Sequence, residues 1–82
     1  MSSIRWIRSI LVDGVPTNLE IMIGSDSIAD KCYVRVNTES EYYFKPPVDS
    51  REAIVATGKE ILKARFQGKT LTTPDGAPYN WD

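Results

Sequence analysis

The chain has no histidine and only one cysteine, Cys32. Without histidine it lacks the commonest general base and zinc ligand, and Cys32 has no imidazole to activate it. A lone cysteine also makes no internal disulfide, whereas secreted domains of this size usually rely on several. Apolar runs are short, and none approaches the ~20 residues that cross a bilayer. The opening Met1-Ser2-Ser3-Ile4-Arg5-Trp6 does not have the layout of a signal peptide. Together these features predict a cytoplasmic protein with no membrane partner.

Neither sign of charge is in excess. Ten Lys and Arg against eleven Asp and Glu give a net charge of −1, which removes any bulk drive toward nucleic acid or anionic lipid. Locally the balance is uneven. Residues 13–30 carry Asp13, Glu20, Asp26 and Asp30 with no basic residue, while 49–69 carry Arg51, Lys59, Lys63, Arg65 and Lys69 against Asp49, Glu52 and Glu60. The four acids of 13–30 lack calcium-loop spacing, and Gly24-Ser25-Asp26-Ser27 lacks the glycines and lysine of a phosphate-binding loop. Internal repeats and low-complexity tracts are missing too. The expectation is a protein that binds rather than catalyses, with no catalytic residues, no cofactor and no metal.

At 82 residues with 41% hydrophobic and 26% charged side chains, the composition is that of a globular chain and does not suggest disorder. A chain this short builds one core. Period-two alternation runs through residues 4–12, with Ile4, Trp6, Ile10 and Val12 on one parity and Arg5, Ile7, Ser9 and Leu11 on the other, which predicts a strand. Asp13-Gly14 supplies the positive-φ pair of a tight hairpin, and Pro16 extends the expected turn to Thr17. Leu19, Ile21 and Ile23 alternate with Asn18, Glu20 and Met22 in a second strand. Cys32, Val34 and Val36 alternate with Tyr33 and Arg35 in a third. Thr38-Glu39-Ser40 turns the chain into a fourth, Glu41–Lys45, ended by Pro46-Pro47.

Asp49 with Glu52 three residues on matches a capping box, predicting a helix over 50–67. Ile54, Val55, Gly58, Ile61, Leu62 and Phe66 form its apolar stripe, and Gly58 within that stripe implies close approach to a strand or a bulky aromatic. Gly68 suits the left-handed residue after the helix. The predicted fold is therefore α+β: an antiparallel sheet of three to four strands in β-β-β-β-α order, with one C-terminal helix on one face. Residues 1–69 form the domain. Residues 70–82 form an extension with room for a short strand at 70–73 and with Tyr79 and Trp81 docked back.

One helix does not cover both sides of a four-stranded sheet. If Cys32, Val34, Val36, Tyr42 and Phe44 point inward, then Tyr33, Arg35, Tyr43 and Lys45 point outward, joined by Arg5, Ile7, Leu11, Glu20 and Met22. An open face this apolar predicts a partner. The leading expectation is a protein-binding module, such as an adaptor, inhibitor or regulatory subunit, which binds another protein or a second copy through Arg5, Ile7, Met22, Tyr33, Arg35, Tyr43 and Lys45. The alternative is a single-stranded nucleic-acid platform that stacks bases on Tyr33 and Tyr43. The bland alternative is a solvated sheet whose Tyr and Arg pairs only stabilise it. Strands followed by a helix also occur in small sheet-platform nucleic-acid binders, but no residue motif or basic loop accompanies that order here, and fold order alone does not carry function.

Overall fold

The computed structural model describes residues 5–23, 32–48 and 50–81. Strands β1 (Arg5–Val12), β2 (Val15–Ile23), β3 (Cys32–Val36) and β4 (Tyr42–Phe44) precede helix α1 (Arg51–Arg65), and β5 (Leu71–Thr72) follows it. They form one five-stranded sheet in the order β4-β3-β2-β1-β5, with every neighbouring pair antiparallel. The fold is α+β, and β5 is the short strand for which residues 70–73 leave room.

The β1–β2 hairpin turns on two residues, Asp13 at φ 50° and Gly14 at φ 82°. Both lie in the left-handed region that a type I′ turn requires. The turn is shorter than predicted, because Val12 pairs with Val15 and Pro16 lies inside the ladder opposite Leu11. In a two-residue hairpin the closing pair carries the hydrogen bonds and the next pair does not, so the missing N–H of Pro16 costs this ladder nothing. Asp13 has a second task. Its N–H donates to the Thr70 carbonyl (2.8 Å) and its Oδ1 accepts from the Thr70 N–H (2.9 Å), which lays β5 against β1.

The cap of α1 differs from the predicted box. Ser50 is the N-cap, its hydroxyl accepting from the Ala53 N–H at 3.2 Å. The third helical position is then Ala53 and not Glu52, so no reciprocal carboxylate bond is made. Asp49 lies outside the described residues, as do the loop at 24–27, the segment 28–30, and Asp26. At the other end Gly68, at φ 85°, takes the left-handed conformation expected of it.

The core comprises Trp6, Ile10, Leu19, Ile21, Cys32, Val34, Val36, Ile54 and Leu62. Helix α1 lies over β2 and β3. They approach closely at Gly58, where a Cβ would meet Ile21 side-chain atoms at 2.7–2.9 Å. Phe44 packs half-buried against the core, but Tyr42, predicted to point inward beside it, is 57% exposed. Its parity is inward, opposite Val34. Its strand, however, is the sheet edge, outside β2 and β3, over which α1 lies. On the opposite flank the chain after β5 turns at Thr73–Ala77 and returns, the Tyr79 N–H donating to the Leu71 carbonyl at 3.1 Å. Tyr79 and Trp81 pack against the core there, their rings 5.0 Å apart.

Candidate binding surfaces

Strand register sorts the sheet face turned away from α1, which no described element covers, into rows. Arg5, Met22, Tyr33 and Tyr43 stand opposite one another across β1, β2, β3 and β4. The Tyr33 and Tyr43 rings lie 5.4 Å apart, inclined at 56°. Tyr43 is 55% exposed, while Tyr33 and Met22 between their neighbours are half-buried. The next row holds Ile7, Glu20 and Arg35, with Ile7 38% exposed. Six of the seven predicted site residues thus come together. The seventh, Lys45, lies one residue past β4, exposed but outside the ladder.

The second row is an ion cluster. Arg35 bridges Glu20 (Nη2–Oε1, 3.0 Å) and Glu41 (Nη1–Oε2, 3.5 Å). The Glu20 hydrogen bond, and then its charge, raise the Arg35 pKa above an already high value, so this cation never discharges. Its Nε is buried without a hydrogen-bond partner, and both terminal nitrogens are engaged. A guanidinium held by two carboxylates does not offer itself to a phosphate. Beyond this cluster the face turns polar: Ser9 Oγ donates to Asn18 Oδ1 at 2.9 Å, and Asn37 Oδ1 accepts from the Asn18 N–H at 2.8 Å.

A second concavity lies on the helix side and does not follow from the strand pattern. It encloses about 440 Å³ between Trp6 on β1, Trp81 of the tail and a helix wall that includes Arg51, Val55, Lys59 and Lys63. The volume falls within the ~300–1,000 Å³ of ordinary ligand clefts. The Arg8 guanidinium lies 4.7 Å from the Trp6 ring centre and Lys59 Nζ 5.8 Å, both within cation–π range. The only sequence signal for this groove is the i, i+4, i+8, i+12 series Arg51, Val55, Lys59, Lys63 along one margin of the apolar stripe, which it shares at Val55.

Beside the groove the Tyr79 hydroxyl is buried with no hydrogen-bond partner. Burial raises its pKa above the tyrosine value of 10.0. The positive charge of Arg8 offsets part of this, although no hydrogen bond of acceptable geometry joins the two groups. Among the described residues no cluster of three or more His, Cys, Asp or Glu is placed to hold a metal, and no helix is long and apolar enough to cross a membrane. Cys32 is fully buried opposite Phe44. Compared with protein-family models, characterised proteins and solved structures, the chain matches none.

Proposed function

We propose that this protein is a small protein-binding module, an adaptor or regulatory subunit, which grips its partner with the sheet face turned away from α1. The observation that carries this reading is the Tyr33–Tyr43 pair, 5.4 Å apart and presented on the uncovered side in one row with Met22 and Arg5. Tyr, Met and Arg are the residue types enriched where proteins meet, and Tyr adds large contact area at little rotamer cost. The Arg35 cluster suits such a role because its charges are already matched within the chain.

Size argues for a transient contact. Four strands of 8, 9, 5 and 3 residues, at ~4.8 Å spacing and ~3.3 Å rise, offer roughly 400 Å². A standard interface takes ~800 Å² from each partner and obligate dimers take more. A regulatory encounter with another protein fits that area better than a permanent dimer. The single-stranded nucleic-acid reading gains no support from the geometry, since of the cations Arg5, Arg35 and Lys45 that would meet phosphates, the central one, Arg35, is engaged by Glu20 and Glu41.

Two neighbouring tyrosines provide the test. Tyr42 and Tyr43 are 57% and 55% exposed on opposite faces of β4. Affinity capture from native extract with the Tyr43→Ala chain should lose the proteins retained by wild type, while Tyr42→Ala keeps them. Equal retention by both variants contradicts the proposal. Titration of labelled single-stranded DNA and RNA at low salt should show no binding.

A further inference from the structure

Strand β1 has an edge that the sheet leaves bare. Its full length pairs with β2, but on the other side β5 covers only Leu11 and Val12. The chain then curls away, the Thr73 N–H donating to the Ala77 carbonyl. Val12–Val15 is the closing pair of the hairpin, so the even-numbered residues of β1 aim their backbone groups at β2 and the odd-numbered ones aim outward. Asp13, whose N–H meets Thr70, confirms that phase. The outward groups of Arg5, Ile7 and Ser9 therefore have no strand beside them among the described residues. Arg8 makes up for one of them. Its Nη1 donates to the Ile7 carbonyl at 2.9 Å, the position a neighbouring strand's N–H would take.

Unpaired edges recruit other strands unless something deters them. β4 is protected by its three-residue length and by Pro46-Pro47. β1 is long and carries two arginines and no acid. That charge deters a second copy, because antiparallel pairing about Ile7 would gather four arginines with no carboxylate among them. It attracts the opposite sign. The groove beside the edge has the same bias: Arg51, Lys59 and Lys63 face Glu52 and Glu60, and Lys63 is already paired with Glu60 at 3.4 Å. With Arg8, which shares the Trp6 face of β1, this flank gathers positive charge on a chain whose net charge is −1.

We propose that the bare edge of β1 over Arg5–Ser9 and the adjoining Trp6–Trp81 groove accept an extended acidic segment of another protein as an added antiparallel strand. Its N–H replaces the Arg8 side chain on the Ile7 carbonyl, and the released guanidinium meets a carboxylate of the incoming strand. Backbone bonds supply affinity, and alternate side chains dropping into the groove beside Trp6 supply selectivity. This site is separate from the Tyr33–Tyr43 face and does not depend on it.

Panning a phage-displayed library of random dodecapeptides on the intact chain tests the proposal. Enriched sequences should be net acidic with alternating apolar residues, and synthetic copies should slow amide hydrogen exchange at Ile7 and Ser9. Ile7→Pro deletes an outward N–H while sparing the ladder to β2, and should weaken the synthetic peptides at least tenfold. If melting shows that this variant does not fold, peptides N-methylated at alternate residues replace it and should lose the same factor. Tyr43→Ala should leave peptide affinity unchanged, which keeps failure of this site distinct from failure of the sheet-face reading. No enrichment, enrichment of neutral or basic peptides, affinity unaffected by Ile7→Pro or N-methylation, or a dimer with Ile7 and Ser9 already protected would overturn it.

Discussion

An added methyl at Gly58 would come within 2.7–2.9 Å of three side-chain atoms of Ile21, itself fully buried. Alanine there gains about 1 kcal/mol of helix propensity, but overpacking a tight contact costs about 1–3 kcal/mol. Gly58→Ala should therefore lower the melting temperature. Pairing it with Ile21→Val, which removes the δ-methyl at 2.8 Å, should restore part of the loss in a double-mutant cycle. Tyr79 gives a second prediction at this scale. Its folded pKa is raised, so its neutral form contributes stability that is fully present below the unfolded tyrosine value and is lost as pH rises through the folded one. Absorbance titration near 295 nm, compared between wild type and Tyr79→Phe, should show Tyr79 ionising above 10.0 together with undocking of the tail. Ionisation at or below that value would contradict its burial.

At the scale of elements, the hairpin and the tail meet at Asp13. Alanine there loses the acceptor for the Thr70 N–H and is penalised at φ 50°. Together these cost about 1–3 kcal/mol. Asn keeps both the acceptor and the tolerance for positive φ. Asp13→Ala should thus speed amide exchange where β5 pairs with Leu11 and Val12 and lower Tm by at least ~4 °C, while Asp13→Asn stays near wild type. The hairpin was legible in the sequence because Asp-Gly acts on its own backbone. The pairing of β5 with β1 was not, because Asp13 and Thr70 are 57 residues apart. The N-cap lies one residue beyond Asp49 because Asp and Ser are both good caps, and residue type alone does not choose between them. The Trp6 groove was hidden for a related reason: its walls come from β1, α1 and the tail, and no local period links them.

At the scale of the whole molecule, one helix over five strands leaves one side of the sheet uncovered among the described residues. Side-chain direction on that side follows from alternation alone, which is why Tyr33, Arg35 and Tyr43 are legible in the sequence as facing away from α1. What alternation did not carry was how far α1 extends, and so Tyr42, of inward parity, lies exposed at the edge. Nor did it reveal that Arg35 is held by Glu20 and Glu41, a cross-strand arrangement fixed by register. The account depends on the uncovered face being the one a partner occupies. Hydroxyl-radical footprinting of the chain alone and in its captured complex measures this directly, because Tyr42 and Tyr43 begin almost equally exposed. The account predicts that Tyr43, Tyr33 and Met22 become protected in the complex while Tyr42 keeps its labelling; protection of Tyr42 with Tyr43 still labelled, or no change at either, would contradict it.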